Sequence, residues 1–322
     1  MKRIAVMTSG GDAPGMNAAI RAVARTALEN QLEVFGIRQA YTGLLNGDFE
    51  QLTSVEVSGI LQRGGTILQT ARNEEFKTEA GQMKGLRRLN EHKIDALVVI
   101  GGNGSLTGAL ALQKKGIPVI GIPGSIDNDI NGTDMSIGVD SALNIILDGL
   151  DRLRDTATSH QRAFLVEVMG RNCGYLALMG GILGGAEIVV TPERPYTPEQ
   201  VAAALEDAYV RNKTHAVAVV AEGAPTKVND LMEYLGSHKN VGFEVRLTIL
   251  GHIQRGGSPT AFDRLLATRM GVSAVKFLLD GMSGVMTAMQ GRKIEPLPIE
   301  EAISKIRPIS ESYFEMQRFL SR

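Results

Sequence analysis

Two aspartates separated by one residue are the side chains of this chain with the clearest capacity for chemistry. Asp127 and Asp129 follow an apolar run at 118–122 that breaks at Pro123-Gly124. Carboxylates just past the carboxyl end of a parallel strand lie where open α/β sheets bind ligands. One carboxylate of such a pair can accept a proton while the other helps to hold a divalent cation. Alternatively, both cap a polar turn, and their spacing alone leaves the two interpretations open.

Two other apolar runs end in glycine-rich loops that lead into helices. Residues 4–8 precede the loop at 10–17, and residues 94–100 precede the loop at 101–105. Small residues let backbone N–H groups approach an anion, and a helix N-terminus adds partial positive charge. Neither loop has the Walker or the dinucleotide-binding pattern, so a tight βα turn stays an alternative for each. The repetition of the unit favours a bound polyphosphate.

Strands and helices alternate along most of the chain, which predicts parallel sheets with right-handed crossovers. A helix with proline in its first turn is predicted to start near Thr197, and a long helix is predicted from Pro259 to about residue 280. The main change of domain is predicted near residue 139. Further strands are predicted at 34–37, 163–168, 188–190, 216–220 and 247–250.

Composition narrows the class of protein. The 322 residues include 34 basic and 35 acidic side chains, which argues against a protein that coats nucleic acid. The single Cys173 excludes an internal disulfide framework and fits a reducing cytosol. No apolar run approaches the roughly 20 residues that span a bilayer, and a strand-like run follows Met1 without a signal-peptide pattern. We therefore expect a cytoplasmic protein with neither a nucleic-acid nor a membrane partner.

Taken together, these stretches resemble the bacterial ATP-dependent 6-phosphofructokinases (the phosphofructokinase A family) from end to end. The motifs that carry the resemblance are Thr-Ser-Gly-Gly-Asp-Ala-Pro-Gly-Met-Asn at 8–17, Gly-Ser-Ile-Asp-Asn-Asp at 124–129, Met-Gly-Arg at 169–171 and Gly-His-Ile-Gln-Arg-Gly-Gly at 251–257. The resemblance implies transfer of the ATP γ-phosphoryl group to the 1-hydroxyl of fructose 6-phosphate, an allosterically regulated step of glycolysis, by a homotetramer that uses Mg²⁺.

The resemblance also implies an α/β fold of two similar three-layer α/β/α domains with largely parallel sheets and the active site in the cleft between them. The larger, ATP-binding domain would comprise residues 1–138 and about 253–303. The smaller domain, which would bind fructose 6-phosphate, would comprise residues 139–252 and about 304–322.

The same resemblance assigns roles to individual residues. Asp127 would take the proton of the sugar hydroxyl, Asp129 would orient the site, and Ser125 would offer a hydroxyl to the transferring phosphoryl group. The backbone N–H of Gly11 and the side chains of Arg72 and Arg171 would stabilise the charge that develops in the transition state. The implied ATP-binding residues are Gly11, Arg72, Asn73, Gly102, Asn103, Gly104 and Ser105, with Asn103 and Asp129 at the metal.

The sugar phosphate and the allosteric effectors would occupy two further sites. Arg162 and Arg246 would reach the sugar phosphate from a neighbouring subunit. The implied substrate-binding residues are Ser125, Ile126, Asp127, Arg162, Met169, Gly170, Arg171, Glu222, Arg246, His252, Ile253, Gln254 and Arg255. Residues that would bind ADP, GDP or phosphoenolpyruvate are Arg21, Arg25, Arg154, Gly185, Ala186, Glu187, Arg211, Lys213, Thr214 and His215. Ser54 and Thr214 stand where the family commonly has cations, which predicts weaker effector responses.

Four residues near the proposed chemistry depart from the family pattern. Asn103 replaces an aspartate that binds Mg²⁺, and because a neutral carbonyl oxygen is a weaker ligand for a hard cation, we expect a weakened but surviving metal site. Ser125 replaces threonine and keeps the hydroxyl. Asn73 replaces an aromatic residue, and Tyr175 stands where bacterial members usually have aspartate.

Two other functions stay open. Pyrophosphate-dependent relatives resemble this chain but carry aspartate in place of Gly104 and lysine in place of Gly124, so the two glycines favour ATP. A catalytically weakened paralogue that binds nucleotide and sugar phosphate as a regulatory subunit is supported by Asn103 alone. Its absence of chemistry is hard to reconcile with four intact residues that only catalysis needs together: Asp127, Asp129, Arg72 and Arg171.

Overall fold

The structure, a computed structural model, describes residues 1–237 and 241–321, with the side chains of 158–160 excepted. Residues 238–240 and 322, which the predicted smaller domain includes, lie outside the described residues. The strands are β1 (Arg3–Ser9), β2 (Glu33–Ile37), β3 (Phe49–Gln51), β4 (Ala96–Gly101), β5 (Val119–Pro123), β6 (Arg162–Val168), β7 (Ile188–Val190), β8 (Ala216–Ala221), β9 (Glu244–Ile249), β10 (Val285–Gln290) and β11 (Lys293–Pro298).

Helices connect most of these strands, and 3₁₀ turns cover Glu75–Lys77 and Gly251–Arg255. The helices are α1 (Met16–Glu29), α2 (Ala40–Asn46), α3 (Glu79–Glu91), α4 (Asn103–Gln113), α5 (Val139–His160), α6 (Tyr175–Leu183), α7 (Pro198–Val210), α8 (Val228–Ser237), α9 (Ala261–Leu279), α10 (Ile299–Ala302) and α11 (Glu311–Leu320). In the described part of the chain, none of them is long and apolar enough to cross a membrane.

The chain packs into two compact units. Unit 1 contains Met1–Ile126, Ile130–Ser141 and Arg255–Arg307. Unit 2 contains Asp127–Asp129, Ala142–Gln254 and Pro308–Arg322. That the larger domain binds ATP and the smaller one binds the sugar phosphate stays a prediction.

Unit 1 is built on a seven-stranded sheet of the described residues, in the order β11-β10-β5-β4-β1-β2-β3. The strands from β10 to β2 are parallel, and the edge strands β11 and β3 are antiparallel to their neighbours. Every residue of β4 is buried, as its run of β-branched side chains requires. The sequence did not predict the hairpin of β10 and β11 or the short β3.

Unit 2 is built on a parallel sheet with the strand order β7-β8-β6-β9 among its described residues. The predicted strands at 163–168, 188–190 and 216–220 are confirmed, and β9 starts earlier than expected, at Glu244. The predicted start of α7 is confirmed as well. Thr197 caps the helix in a reciprocal capping box with Gln200, and Pro198 occupies the first turn.

Candidate active site

Three loops of unit 1 leave the sheet at one edge. Ser9, Gly101 and Pro123 end β1, β4 and β5 and are neighbours in the parallel register. The chain then continues into α1, into α4 and into the turn that carries Asp127. The N-caps of α1 and α4 are Gly15 and Gly102, which have no side chain to cap the helix, and N–H groups at a helix N-terminus are suited to donate to an anion.

Glycine is required where these loops touch. A Cβ on Gly101 would lie 2.4 Å from the carbonyl oxygen of Ser9 and 2.6 Å from Oγ of Ser105. The backbone N–H of Gly124 donates to the carbonyl of Gly101 at 3.0 Å. A Cβ on Gly104, by contrast, would meet no atom within 4 Å. The backbones of the loops therefore approach closely while space is left beside α4.

The Arg72 segment is tied to the first of these loops. Oγ1 of Thr70 donates to the carbonyl of Gly10 at 2.8 Å. Arg72, which is exposed, follows two residues after this contact. Asn73, expected beside the nucleotide, uses its amide within the fold. Its Nδ2 donates to Thr42 at 3.2 Å, and its Oδ1 accepts from the backbone N–H of Phe76 at 2.8 Å.

Arg255 lies against the same loop. Its Nη1 donates to the carbonyl of Asp12 at 3.1 Å, and a Cβ on Gly11 would fall 2.4 Å from that nitrogen. A residue assigned by resemblance to the sugar phosphate thus contacts the loop assigned to ATP. His252 and Ile253 are exposed, whereas Gln254 is buried.

The Asp127 turn has a strained centre. Asn128 is fully buried and adopts a positive φ of 51°, which asparagine tolerates better than most residues. Asp127 and Asp129 on either side are half-buried, and Ile126 is buried in unit 1. The turn therefore presents two carboxylates around an anchored asparagine.

Unit 2 brings Arg171 and Glu222 together past the carboxyl ends of β6 and β8. Nε of Arg171 lies 3.9 Å from Oε1 of Glu222, and the Arg171 side chain is 73% exposed. Backbone bonds hold both loops, because Glu222 N–H donates to Val168 at 2.9 Å and Gly223 N–H to Gly170 at 3.1 Å. The resulting site combines an accessible guanidinium with a carboxylate that can accept from sugar hydroxyls.

Two further groups in unit 2 have shifted pKa values. Burial raises the pKa of Glu167, the charge of Glu222 raises it further, and Lys227 opposes both. Burial raises the pKa of the Cys173 thiol to about 12, and three carboxylates, including those of Asp129 and Asp127, add to the increase. Cys173 is therefore a buried thiol and not a nucleophile at neutral pH.

Arg162 and Arg246 lie in strands β6 and β9, whereas Arg171 lies in the loop that follows β6. Arg162 begins β6 and Arg171 follows its end, so at about 3.3 Å per residue the strand separates them by roughly 20 Å. Glu244 pairs with both arginines, at 2.8 Å from Nε of Arg162 and in direct contact with Arg246. Its pKa is lowered, mainly by the hydrogen bond from Arg162. Arg162 therefore lies near the opposite end of β6 from Arg171, and Arg246 lies opposite Phe164 within the neighbouring strand.

Six residues expected at the effector site line one pocket of unit 2, with a volume of about 410 Å³. Nη2 of Arg154 donates to Gly185 at 2.7 Å, and Nζ of Lys213 lies 2.9 Å from Oε1 of Glu187. Burial lowers the pKa of His215, Arg154 and Lys213 lower it further, and Glu187 opposes them. The lining residues are Arg154, Gly185, Glu187, Asn212, Lys213, Thr214 and His215.

Other residues of the expected effector set lie elsewhere. Arg211 pairs with Asp207 at 2.8 Å and donates to the carbonyl of Ser321 at 3.3 Å. Arg21 and Arg25 are on α1 of unit 1, where Nη2 of Arg25 donates to the carbonyl of Ser54 at 3.4 Å. Ala186 is buried next to the pocket.

The described residues contain no cluster of three or more His, Cys, Asp or Glu side chains that could hold a metal ion by themselves. Asn103 is the first residue of α4 and Asp129 is half-buried in unit 2. These two residues could supply only part of the octahedral ligand shell of Mg²⁺, which would be completed by oxygen atoms such as those of water or substrate.

Sequence reasoning missed two buried residues behind the unit 1 loops. The Tyr41 hydroxyl donates to the carbonyl of Ser105 at 2.6 Å while its ring stacks on Phe76, and burial raises the pKa of the phenol. Asp263, fully buried, accepts bonds from the start of α5. The spacing of Asp263 from Thr260 matches an ordinary helix cap. That pattern gives no indication of the contact between Asp263 and the start of α5.

Similarity to known proteins identifies the family of this chain. The model of the family described as phosphofructokinase matches residues 3–278. The ATP-dependent 6-phosphofructokinases of Thermotoga neapolitana and Listeria welshimeri are 53% and 50% identical, each over 100% of both chains. The T-state crystal structure of Pichia pastoris phosphofructokinase superposes with a TM-score of 0.90 at 39% identity, over 94% of this chain and 35% of that one. The chain belongs to the phosphofructokinase family.

Proposed function

We infer that this chain transfers the γ-phosphoryl group of ATP to the 1-hydroxyl of fructose 6-phosphate, giving fructose 1,6-bisphosphate in glycolysis. Two relatives that are 53% and 50% identical over their full length are named ATP-dependent 6-phosphofructokinases. The structural observation that carries the inference is the shared edge of unit 1. Two loops there lead into uncapped helix N-termini, and a third continues into the Asp127 turn. A polyphosphate and a proton acceptor are the partners that such an edge suits.

We propose the following roles for the reacting groups. Asp127 accepts the proton of the 1-hydroxyl as its oxygen bonds to the γ-phosphorus and the bond to the β–γ bridging oxygen breaks, releasing ADP. Arg72, Arg171 and the backbone N–H of Gly11 stabilise the charge on the transferring group. Ser125, next to Asp127 in sequence, offers its hydroxyl to that group.

For the sugar phosphate we propose Arg255 and His252 together with the pair of Arg171 and Glu222. The roughly 20 Å that β6 spans within one chain supports the assignment of Arg162 to a neighbouring subunit. The same assignment for Arg246 and the homotetramer rest on the family resemblance. The remaining contacts would come from the backbone at Met169 and Gly170 and from residues 252–255.

The proposed site offers few protein oxygen ligands for Mg²⁺. Mg²⁺ usually keeps several waters and binds one or two protein carboxylates together with substrate phosphates, so Asn103 and Asp129 are a sufficient though weak set. Bound there, Mg²⁺ would neutralise charge on the ATP phosphates. Asp129 contributes a full negative charge and Asn103 only a carbonyl dipole.

We further propose that the unit 2 pocket binds an anionic effector such as ADP, GDP or phosphoenolpyruvate in the cytoplasm. Arg154 and Lys213 supply its positive charge, which Glu187 partly offsets because its Oε1 pairs with Lys213 and its Oε2 accepts from the N–H of Val217. His215, whose lowered pKa keeps it neutral near pH 7, adds no charge of its own.

A coupled assay on purified protein tests the function. Fructose 6-phosphate is supplied with either ATP or pyrophosphate over a range of Mg²⁺ concentrations, and production of fructose 1,6-bisphosphate is followed. We expect Mg²⁺-dependent turnover with ATP only. Turnover with pyrophosphate in place of ATP would contradict the nucleotide assignment, and binding of both substrates without turnover would identify a regulatory paralogue.

A further inference from the structure

Fully buried Asp263 on α9 holds a short segment of unit 1 that the proposed chemistry does not use directly. Its Oδ1 accepts from the backbone N–H of Gly138 at 2.9 Å. Its Oδ2 accepts from the backbone N–H and the hydroxyl of Ser141, at 2.8 and 2.7 Å. Both oxygens are therefore occupied by the first turn of α5 and the residue before it. Burial raises the pKa of Asp263, and these three bonds oppose the increase.

The network continues to the start of α9 itself. Thr260 donates its backbone N–H to Oγ of Ser141 at 3.0 Å and its hydroxyl to Oδ2 of Asp140 at 2.6 Å. The hydroxyl of Thr260 also accepts from the N–H of Asp263 at 3.3 Å, which caps the helix. The N-termini of α5 and α9 are thus hydrogen-bonded to each other through side chains of both helices.

The segment that this network fixes, residues 136–141, packs between the two loops proposed to do chemistry. Ile137 pairs with Gly124 through a parallel bridge, and its N–H donates to the carbonyl of Pro123 at 3.0 Å. A Cβ on Gly138, which has φ +102°, would meet Ala13 at 2.6 Å and Ile126 at 3.2 Å.

The first loop is held just as closely. A Cβ on Gly15, which begins α1 with φ +106°, would lie 2.7 Å from the side chain of Ile137 and 3.5 Å from the carbonyl of Asp263. No space is left for the segment to shift without moving Ala13, Gly15 or Ile126, because interiors packed this closely transmit displacement.

We propose that Asp263 is a positioning residue. Through Ser141 and residues 136–138 it fixes Gly124 and Ile126, which lead into the Asp127 turn, against the glycine-rich loop at 10–17. This inference rests on the proposed role of Asp127. Asp263 touches neither substrate, and its effect is on the placement of the proton acceptor. A misplacement of about 1 Å from a remote substitution costs on the order of 100-fold in rate.

Two variants test the proposal. Asp263→Asn keeps the volume but turns an amide N–H₂ toward donors, and Ser141→Ala removes only the bridging hydroxyl. Asp280→Asn, at the exposed end of the same helix, is the matched control. We expect kcat per folded site to fall about 10- to 100-fold in Asp263→Asn and less in Ser141→Ala. Equilibrium binding of ATP and the KM for fructose 6-phosphate should change little.

The split between kcat and binding separates positioning from stability alone. If both variants lower the melting temperature but keep the wild-type kcat per folded site, the proposal is overturned. Should Asp263→Asn not fold, Ser141→Ala decides, since a wild-type kcat in that variant also overturns it. Asp127→Asn is measured alongside: full activity there refutes the role of Asp127 itself, whereas its loss together with unchanged network variants refutes only the positioning role.

Discussion

Replacing Gly11 by alanine should weaken binding of the sugar phosphate as well as of ATP. The new Cβ would lie 2.4 Å from Nη1 and 2.9 Å from Cζ of Arg255. Nonbonded heavy atoms settle at about 3.5–4.0 Å, so the guanidinium has to move by roughly 1 Å. Because Arg255 is the flexible partner, the chain should fold normally and the guanidinium should leave the carbonyl of Asp12, which it contacts at 3.1 Å.

The magnitude follows from what Arg255 then loses. A hydrogen bond to a charged group contributes about 1.5–3 kcal/mol, so one lost bond to the sugar phosphate weakens binding about 10- to 150-fold, at roughly 1.4 kcal/mol for each factor of ten. An effect confined to the Gly11 backbone and ATP would leave the affinity for fructose 6-phosphate unchanged.

Two measurements check this effect. The KM for fructose 6-phosphate is determined at saturating ATP, and the thermal shift given by the sugar phosphate alone is recorded without nucleotide. Gly236→Ala serves as the control, because Gly236 is exposed in α8 and a Cβ there meets nothing within 4 Å. A Gly11→Ala protein that binds the sugar phosphate as tightly as the parent would refute the link between Arg255 and this loop.

Three other substitutions have defined outcomes. Asn103→Asp should tighten the Mg²⁺ dependence of turnover roughly tenfold by adding a carboxylate ligand; a titration that shows no gain would count against Asn103 at the metal. Gly104→Asp should raise the KM for ATP roughly tenfold or more through repulsion of the phosphates, whereas Gly104→Asn should not; equal values for the two would contradict it. Glu244→Gln, by releasing Arg162 from a 2.8 Å ion pair, should lower the KM for fructose 6-phosphate by a few fold, the range of exposed pairs; an unchanged KM would argue against Arg162 as a phosphate ligand.

The sequence predicted those parts of the fold that follow from local pattern. Runs such as residues 94–100, rich in β-branched residues and closed by glycine, became β4 and its loop as expected. The edge hairpin of β10 and β11 was not predicted, and Pro296 and Pro298 in the run of β11 are residues that usually argue against a strand. An edge strand tolerates proline where no ladder donor is needed, and that position is known only once the sheet is assembled.

The candidate site divides in the same way. Arg171 and Glu222 were assigned to the substrate only through the resemblance, and the structure adds that they lie 3.9 Å apart because parallel β6 and β8 bring their carboxyl ends to one edge. Motif spacing gave no indication that Arg211 turns to Asp207 and Ser321 or that Asn73 caps a neighbouring turn. Such contacts depend on which long side chain finds a partner across the fold, and one-dimensional spacing does not encode that.

The central claim, that Asp127 takes the proton during ATP-dependent phosphorylation of fructose 6-phosphate, is tested most directly by the kcat of Asp127→Asn. General base catalysis contributes about 10²- to 10⁴-fold, so we predict a loss of that size with KM values for both substrates within a few fold of the parent. Asp134→Asn, an exposed residue of the following loop, should keep full activity. An Asp127→Asn protein that phosphorylates the sugar at the parent rate would contradict the account.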